Sequence, residues 1–185
     1  MTGCGDRLKE TIEVMRGLKE RHGESLKVEV FMSKAGAQVA KMYKVSEVLQ
    51  VGFDRHWVEV DANTPFLVGR LQLGEFDAVL VAPATSNTVA KLAHGISDTL
   101  VTNAAIQAVK GFVPVYVMPV DYHEGITTTT LPNGRNLKLR VRKEDADNVR
   151  KLEAMEGLRT LESPEEIPGL LGLTKWDTGL SDSIH

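Results

Sequence analysis

The sequence predicts an α/β domain in which helices cover both faces of a doubly wound parallel sheet. Runs of strand length alternate with runs of helical periodicity along most of the chain. Residues 78–82 and 113–118 are apolar throughout, as a strand buried on both faces requires. A chain of 185 residues fits one such domain. We assign residues 1–173 to it and expect residues 174–185 to form a flexible polar tail.

The first half of the chain alternates regularly. Leu8, Ile12, Met15 and Leu18 recur at helical spacing and define the buried face of the first helix. A later short helix begins at Pro65 and directs Phe66 inward. The expected elements are helices at 7–22 and 34–43 and from Pro65, and strands at 27–32 and 57–60.

The second half adds a hairpin to the alternating pattern. Pro132-Asn133-Gly134 separates two β-prone runs, and Asn-Gly in that position favours a tight hairpin turn. A charged amphipathic helix follows and closes the core. The expected elements are strands at 78–82, 113–118, 127–130, 137–141 and 158–161, and helices at 86–94, 98–110 and 143–155.

The start of the chain departs from this pattern. A parallel sheet of this kind opens with an apolar strand that leads into the first glycine-rich loop, yet only Met1 precedes Thr2-Gly3-Cys4-Gly5-Asp6. Our hypothesis is that this first strand is missing and that Met1 ends a strand encoded upstream. If Met1 is the true start, the sheet lacks a central strand, and we expect poor stability.

Composition excludes several classes of protein. A net charge of −3 gives no reason to expect nucleic-acid binding. Cys4 is the only cysteine, so no metal site built from several cysteines can form within one chain, and we predict no metal. No apolar run has the length of a membrane span, and the start lacks the apolar stretch of a signal peptide. We expect a cytoplasmic protein.

Polar and glycine-rich segments follow the predicted strands where open α/β sheets bind ligands. The loop Gly3-Cys4-Gly5 precedes a helix, which suits a phosphate, although a tight turn capped by Asp6 explains the same residues. Ser33 follows the strand at 27–32 and either donates to a phosphate or caps the next helix.

The segment that follows the most apolar strand carries the clearest signal. Thr85, Ser86, Asn87 and Thr88 supply hydroxyl and amide donors at a helix start, which suits an anionic or heteroaromatic ligand. Four polar residues in a row exceed what a helix cap needs. Met118-Pro119 ends the next strand and, by itself, indicates only a strand and a turn.

These residues carry a resemblance to a known family. The run Pro83-Ala84-Thr85-Ser86-Asn87-Thr88 resembles the Pro-Ala-Ser-Ala-Asn-Thr motif of the homo-oligomeric flavin-containing cysteine decarboxylase superfamily. The resemblance continues through residues 90–100 and follows the family order from Thr2 to about Met118. The 63–67 and 131–134 segments are most similar to archaeoflavoprotein A and the flavin-dependent dihydromethanopterin reductases.

The resemblance implies a Rossmann-like fold that binds FMN. By position, Gly3, Cys4 and Gly5 would line the phosphate and ribityl loop, and Ser33 would bind the phosphate. Family members form trimers, often assembled into dodecamers, with the flavin at the subunit contact. The remaining implied flavin contacts are Thr85, Ser86, Asn87, Thr88, and Met118 or Pro119.

Departures from the family pattern narrow the implied chemistry. Arg70 stands where the decarboxylases carry an active-site histidine, and arginine cannot act as a base at neutral pH. Their Pro-x-Met-Asn segment is absent after residue 118, and the catalytic pattern of the prenyltransferases is not evident. The resemblance therefore implies an oxidoreductase that reduces a dihydropterin such as dihydromethanopterin. Asn87 and Arg70 are its candidate catalytic residues, although Arg70 could also be a solvated helix residue.

Two other functions remain open. An electron carrier that accepts electrons from ferredoxin would use the basic residues Lys138, Arg140, Arg142 and Lys143 to attract an acidic partner. A charged hairpin edge that blocks aggregation explains the same residues. The third possibility is a non-enzymatic flavin-binding or storage protein.

Overall fold

The computed structural model describes residues 1–170, so the predicted tail at 174–185 lies outside the described residues. The helices are α1 (Leu8–His22), α2 (Lys34–Met42), α3 (Ser46–Val51), α4 (Leu67–Gln72), α5 (Ser86–Ala93), α6 (Leu100–Lys110) and α7 (Lys143–Glu153). The strands are β1 (Glu29–Met32), β2 (Arg55–Val58), β3 (Val79–Ala84), β4 (Val115–Pro119), β5 (Gly125–Thr130), β6 (Asn136–Val141) and β7 (Leu158–Thr160). Short 3-10 turns cover Gly23–Ser25 and Pro164–Leu170.

All strands outside the hairpin are parallel, which confirms the predicted Rossmann-like α/β class. They form two groups rather than one sheet. Strands β3, β4 and β7 pair in that order, and β1 pairs with β2 in a separate ladder. The residues at the carboxyl ends of β1, β3 and β4 nevertheless approach one another, and they form the site described below.

The main core lies between the β3–β4–β7 ladder and the helices α4, α5, α6 and α7. Helix α6 begins where Thr99 accepts from the Thr102 amide and Thr102 accepts from the Thr99 amide. Its buried face is made of small residues such as Ala104, Ala105 and Ala108, which let the helix approach the sheet closely. Within residues 1–170, no helix has both the length and the apolar character needed to cross a membrane.

Met1 already lies in a parallel ladder beside β1. Its backbone nitrogen donates to the Phe31 carbonyl at 2.7 Å, and its carbonyl accepts from the Ser33 amide at 3.0 Å. These two bonds pair Met1 with Met32 as in a parallel sheet. Between β1 and β3 lies a cleft of about 1380 Å³, lined mainly by apolar side chains of α1, α4, α6 and both strands. Residues 1–170 place no strand in this cleft.

The hairpin β5–β6 extends away from the parallel strands. The predicted hairpin forms, but its register pairs Thr130 with Asn136 and Leu131 with Arg135, so its turn has the three residues 132–134 rather than Asn133-Gly134 alone. Ile126, Leu137 and Leu139 are exposed on it. The expectation that Phe66 faces inward is wrong. Its side chain is 82% exposed, because helix α4 begins only at Leu67 and directs Leu67 and Leu71 into the core.

A candidate ligand site at the carboxyl ends of the strands

The segment after β3 is organised as a helix start. The hydroxyl of Thr85 accepts from the Thr88 backbone amide at 3.3 Å and lies 3.1 Å from the Thr88 hydroxyl. The Ser86 and Asn87 backbone amides have no hydrogen-bond partner within residues 1–170. The first turn of α5 holds no acidic residue. The start of α5 therefore presents open donors and the positive end of a helix dipole.

Thr2 joins the glycine-rich loop to this helix start. Its hydroxyl donates to the Pro83 carbonyl at 2.7 Å and accepts from the Thr85 amide at 3.1 Å. The side chain is buried, so both backbone groups depend on this one hydroxyl. Thr2 belongs to the predicted loop, but no local pattern indicates its contact with Pro83, which lies 81 residues further along the chain.

The glycines of the loop pack closely against other parts of the chain. A Cβ atom on Gly3 would lie 2.7 Å from the Ala35 Cβ. A Cβ on Gly5 would lie 2.2 Å from the Tyr43 ring. The Tyr43 hydroxyl donates to the Thr130 carbonyl at 3.3 Å, so Tyr43 also holds the hairpin next to the loop. The loop, α2 and β5 thus form one wall of the site.

Backbone amides at the start of α2 donate hydrogen bonds to side chains of the same chain. The Ser33 hydroxyl accepts from the Gly36 amide at 2.9 Å, which is the capping role considered for it. Glu59, which follows β2, accepts from the Lys34 amide at 3.0 Å and from the Leu100 amide at 2.7 Å. One carboxylate therefore bridges the N-termini of α2 and α6. The predicted strand at 57–60 included Glu59, whereas the observed strand ends at Val58, so the sequence carried no signal for this role.

Asn87 lies on the exposed side of the first turn of α5. Its side chain has no hydrogen-bond partner within residues 1–170. Ser86 differs, because its hydroxyl donates to the carboxylate of Asp121, which follows β4. Asp121 was not among the predicted site residues. The two side chains therefore have different roles: Ser86 joins α5 to the loop after β4, and Asn87 remains open to a ligand.

Met118 and Pro119, the two alternative flavin contacts predicted at the end of β4, lie in different surroundings. The Met118 side chain is fully buried and packs with Ala82, Tyr116 and Leu161. Pro119 lies beside Ala84 at the edge of the ladder. Successive side chains of a strand point to opposite faces, so the two residues cannot serve the same purpose.

The loop carries two ionisable groups whose pKa values are raised by burial. Burial raises the pKa of the Cys4 thiol to about 11, and a nearby Asp6 carboxylate acts in the same direction. Burial also raises the pKa of Asp6, which accepts a hydrogen bond from Thr129 of the hairpin. Cys4 is therefore a protonated thiol at neutral pH, unsuited to nucleophilic chemistry.

Arg70 lies apart from these residues. Its guanidinium donates to both oxygens of Glu29, at 2.8 and 2.9 Å, and to Glu75 at 2.7 Å. It also stacks over Phe76, with 4.6 Å to the ring centroid. Glu29 begins β1, so Arg70 sits at the amino ends of the strands, opposite the site. These carboxylates hold its guanidinium away from the residues at the carboxyl ends of the strands within this chain.

The fold and the site define an α/β protein that binds a ligand with hydroxyl, amide and helix N-terminal donors at the carboxyl ends of parallel strands. The Flavoprotein family model matches residues 1–166. The chain belongs to this family.

Its relatives include archaeal and bacterial proteins. An uncharacterized protein of Methanocaldococcus jannaschii is 48% identical over 167 residues, which cover 90% of this chain and 89% of that protein. The dihydromethanopterin reductase (acceptor) of the same organism is 35% identical, over 90% of this chain and 92% of its own length. The crystal structure of Burkholderia xenovorans DmrB in complex with FMN, described as a cubic protein cage for redox transfer, is 35% identical. It has a TM-score of 0.76 and covers 92% of this chain and 89% of its own.

Proposed function

We propose that this protein binds FMN at the carboxyl ends of β1, β3 and β4 and reduces a dihydropterin such as dihydromethanopterin to the tetrahydro form. The observation that carries the proposal is the open start of α5, where the Ser86 and Asn87 backbone amides and the Asn87 side chain are unpaired within residues 1–170. The dihydromethanopterin reductase and the FMN-bound DmrB structure, each 35% identical, support it.

The residues present fit an FMN molecule. A phosphate needs open N–H and O–H donors, and the first turn of α5 leaves the Ser86 and Asn87 backbone amides open while the Ser86 hydroxyl is held by the Asp121 carboxylate. The start of α2 meets this need less well, because the Glu59 carboxylate already accepts from the Lys34 amide. We therefore place the phosphate or the polar edge of the flavin closer to Thr85–Thr88 than to Ser33.

The residues around the proposed FMN site then have different roles. Bound FMN supplies the electron pair for pterin reduction, and the protein orients and shields it. Asn87 offers an amide that can donate to and accept from a heteroaromatic ring. Thr2 and Ser86 hold the glycine-rich loop and the β4 loop against α5. The neutral Cys4 thiol adds no negative charge beside the ring.

We further propose that the protein works as a homo-oligomer, either a trimer or a dodecamer. The cage described for DmrB supports a homo-oligomeric state. In this chain, Leu137 and Leu139 are exposed on a two-stranded ribbon, and such ribbons are marginally stable alone in water. Sedimentation velocity at micromolar concentration tests the proposal, and a monomer at every concentration would refute it.

Asn87→Ala tests the flavin site with the least structural disturbance. We expect FMN affinity to fall by about 10-fold or more, since polar contacts to a bound ligand are lost. The melting temperature should change by less than about 2 °C because the side chain is exposed. Asn148→Ala on α7 is the matched control and should leave both quantities unchanged. Equal FMN affinity in all three proteins would refute the role of Asn87.

A ferredoxin-linked electron carrier is the second candidate function. Lys138 and Arg140 are exposed and lie on the same face of the hairpin, as the register with Thr128 and Ile126 shows. Such a basic face attracts an acidic partner. The double substitution Lys138→Glu and Arg140→Glu should slow reduction by ferredoxin at low salt, with chemical reduction by dithionite unchanged. Equal rates with ferredoxin would instead favour a hairpin edge that only prevents aggregation.

A further inference from the structure

A second cavity lies beside the candidate site, between the glycine-rich loop and the hairpin. Its volume is about 430 Å³, which is within the usual range for a small-molecule site. One side is formed by Gly5, Asp6 and the start of α1, and the other by Tyr43 and residues 128–132 of the hairpin. The cavity is therefore mixed in character, with a carboxylate, threonine hydroxyls and an aromatic ring around one space.

The carboxylate of Asp6 has few partners within this cavity. It is half-buried and accepts a hydrogen bond from Thr129, which lies across the cavity on β5. An ionised carboxylate has room for about four such bonds. Within residues 1–170 it forms no ion pair, and the guanidinium of Arg7 donates instead to the Glu162 carbonyl. Arg7, rather than Asp6, precedes α1, and its side chain makes no capping bond there.

Negative charge surrounds this carboxylate. Burial raises the pKa of Asp6, and the carboxylates of Glu10 and Asp121 act in the same direction, against the charge of Arg7. Such surroundings favour a ligand that brings N–H donors to the carboxylate. Asp121 also accepts from the Ser86 hydroxyl, so Asp6 lies close to the start of α5, where we propose that FMN binds.

The two molecules of the proposed reaction differ at the edge that a carboxylate binds. A pterin presents its 2-amino group beside N3–H, which gives two parallel donors. A carboxylate accepts both at once, as it accepts two N–H groups from an arginine. The isoalloxazine ring of FMN presents N3–H between two carbonyl oxygens, and a carboxylate placed there would face an acceptor. Asp6 therefore matches the pterin and not the flavin ring.

We infer that this cavity receives the pterin and that the Asp6 carboxylate accepts from its 2-amino group and from N3–H. The inference rests on the proposed function, which supplies the substrate class. Tyr43 and Leu131 are half-buried and offer apolar surface to the pterin ring. The Thr129 hydroxyl holds the carboxylate in place. Asp6 thus determines specificity for the pterin, whereas Asn87 serves the flavin.

Two probes that differ at one position test the inference without a catalytic step. 6-Methylpterin carries the 2-amino group, and 6-methyllumazine carries an oxygen in its place. Their Kd values are measured by equilibrium dialysis at pH 7, both without and with bound FMN. We expect the parent to bind the pterin at least about 10-fold more tightly than the lumazine. Asp6→Asn should weaken pterin binding by about 10-fold or more and remove the preference, because its amide offers only one acceptor.

Glu13→Gln is the matched control, because it removes one negative charge from an exposed position of α1 outside the cavity. It should leave both Kd values within about 2-fold of the parent. The melting temperature shows whether Asp6→Asn still folds. The comparison of the two probes in the parent needs no substitution, so it decides the matter even if that variant does not fold.

Steady-state kinetics add a second readout. Asp6→Asn should raise the KM for the dihydropterin by about 10-fold or more and leave kcat within about 3-fold, as the loss of a binding contact does. An unchanged KM, with the parent active, would overturn the inference while the proposed function stands.

The binding outcomes separate the two proposals. A parent that binds neither probe, or both equally, would overturn the inference, as would a preference that survives Asp6→Asn. A preference that depends on Asp6, in a protein that retains no FMN or reduces no dihydropterin, would support the pterin cavity and contradict the proposed function.

Discussion

Thr2→Val removes one hydroxyl and nearly preserves the volume of the side chain. In the folded protein that hydroxyl donates to the Pro83 carbonyl at 2.7 Å and accepts from the Thr85 amide at 3.1 Å. Thr2 is only 3% exposed, so water cannot replace either bond without rearrangement. Each buried backbone group left unpaired costs about 1–3 kcal/mol, so we expect the free energy of unfolding to fall by about 2–4 kcal/mol. For a domain of this size the melting temperature then falls by roughly 5–15 °C.

Urea unfolding followed by circular dichroism measures this change, and Thr2→Ser is the matched control. Serine keeps both hydrogen bonds and loses one methyl group, at a cost of about 1 kcal/mol. FMN affinity should fall with valine and remain near the parental value with serine. If valine and serine destabilise the protein equally, the hydroxyl does not join the loop to α5, and the account of the site is wrong.

Three further predictions concern groups that the structure places in unusual surroundings. Glu59→Ala leaves the Lys34 and Leu100 amides without their carboxylate. The free energy of unfolding measured in urea should therefore fall by about 2 kcal/mol, and it should fall by less in Glu59→Gln. Cys4, the only cysteine, has a pKa raised to about 11. Its labelling by a disulfide reagent at pH 8 should therefore be on the order of 100-fold slower than that of free cysteine, and a rate equal to free cysteine would contradict the burial. The hydrogen bonds from Arg70 lower the pKa of Glu29. This carboxylate therefore contributes stability above its unfolded pKa of about 4.3 and loses it as the pH falls through the lower folded value. Glu29→Gln should flatten the acid limb of the stability profile, and an unchanged limb would refute the pairing.

The regular elements follow from local signals in the sequence. Helical spacing of apolar residues predicts α1, and the two wholly apolar runs predict β3 and β4, because a strand buried on both faces has no polar alternation. The short helix α3 was not predicted, since six residues hold too few repeats to show a period. Phe66 was expected inside for a related reason: apolar character alone does not indicate where a short helix begins.

The candidate site was predicted where its residues are adjacent in sequence. Thr85 to Thr88 form one helix start, so their type and order carry the signal. Glu59 and Asp121 were missed because their partners lie 41 and 35 residues away, and only the packed fold brings them together. Arg70 was placed in the site from its alignment position. In the structure, Arg70 forms an ion pair with Glu29 instead. A local sequence pattern cannot show this pairing because the two residues are far apart in the chain.

The central claim is that this chain binds FMN and passes electrons from it to a dihydropterin. Purified protein reconstituted with FMN, desalted and examined by absorbance, tests it most directly when dihydromethanopterin is then added to the reduced sample. We predict flavin bands near roughly 370 and 450 nm that disappear on reduction and return in proportion to the dihydropterin consumed. A protein that retains no FMN after desalting, or whose reduced flavin is not reoxidised by the dihydropterin, would contradict the account.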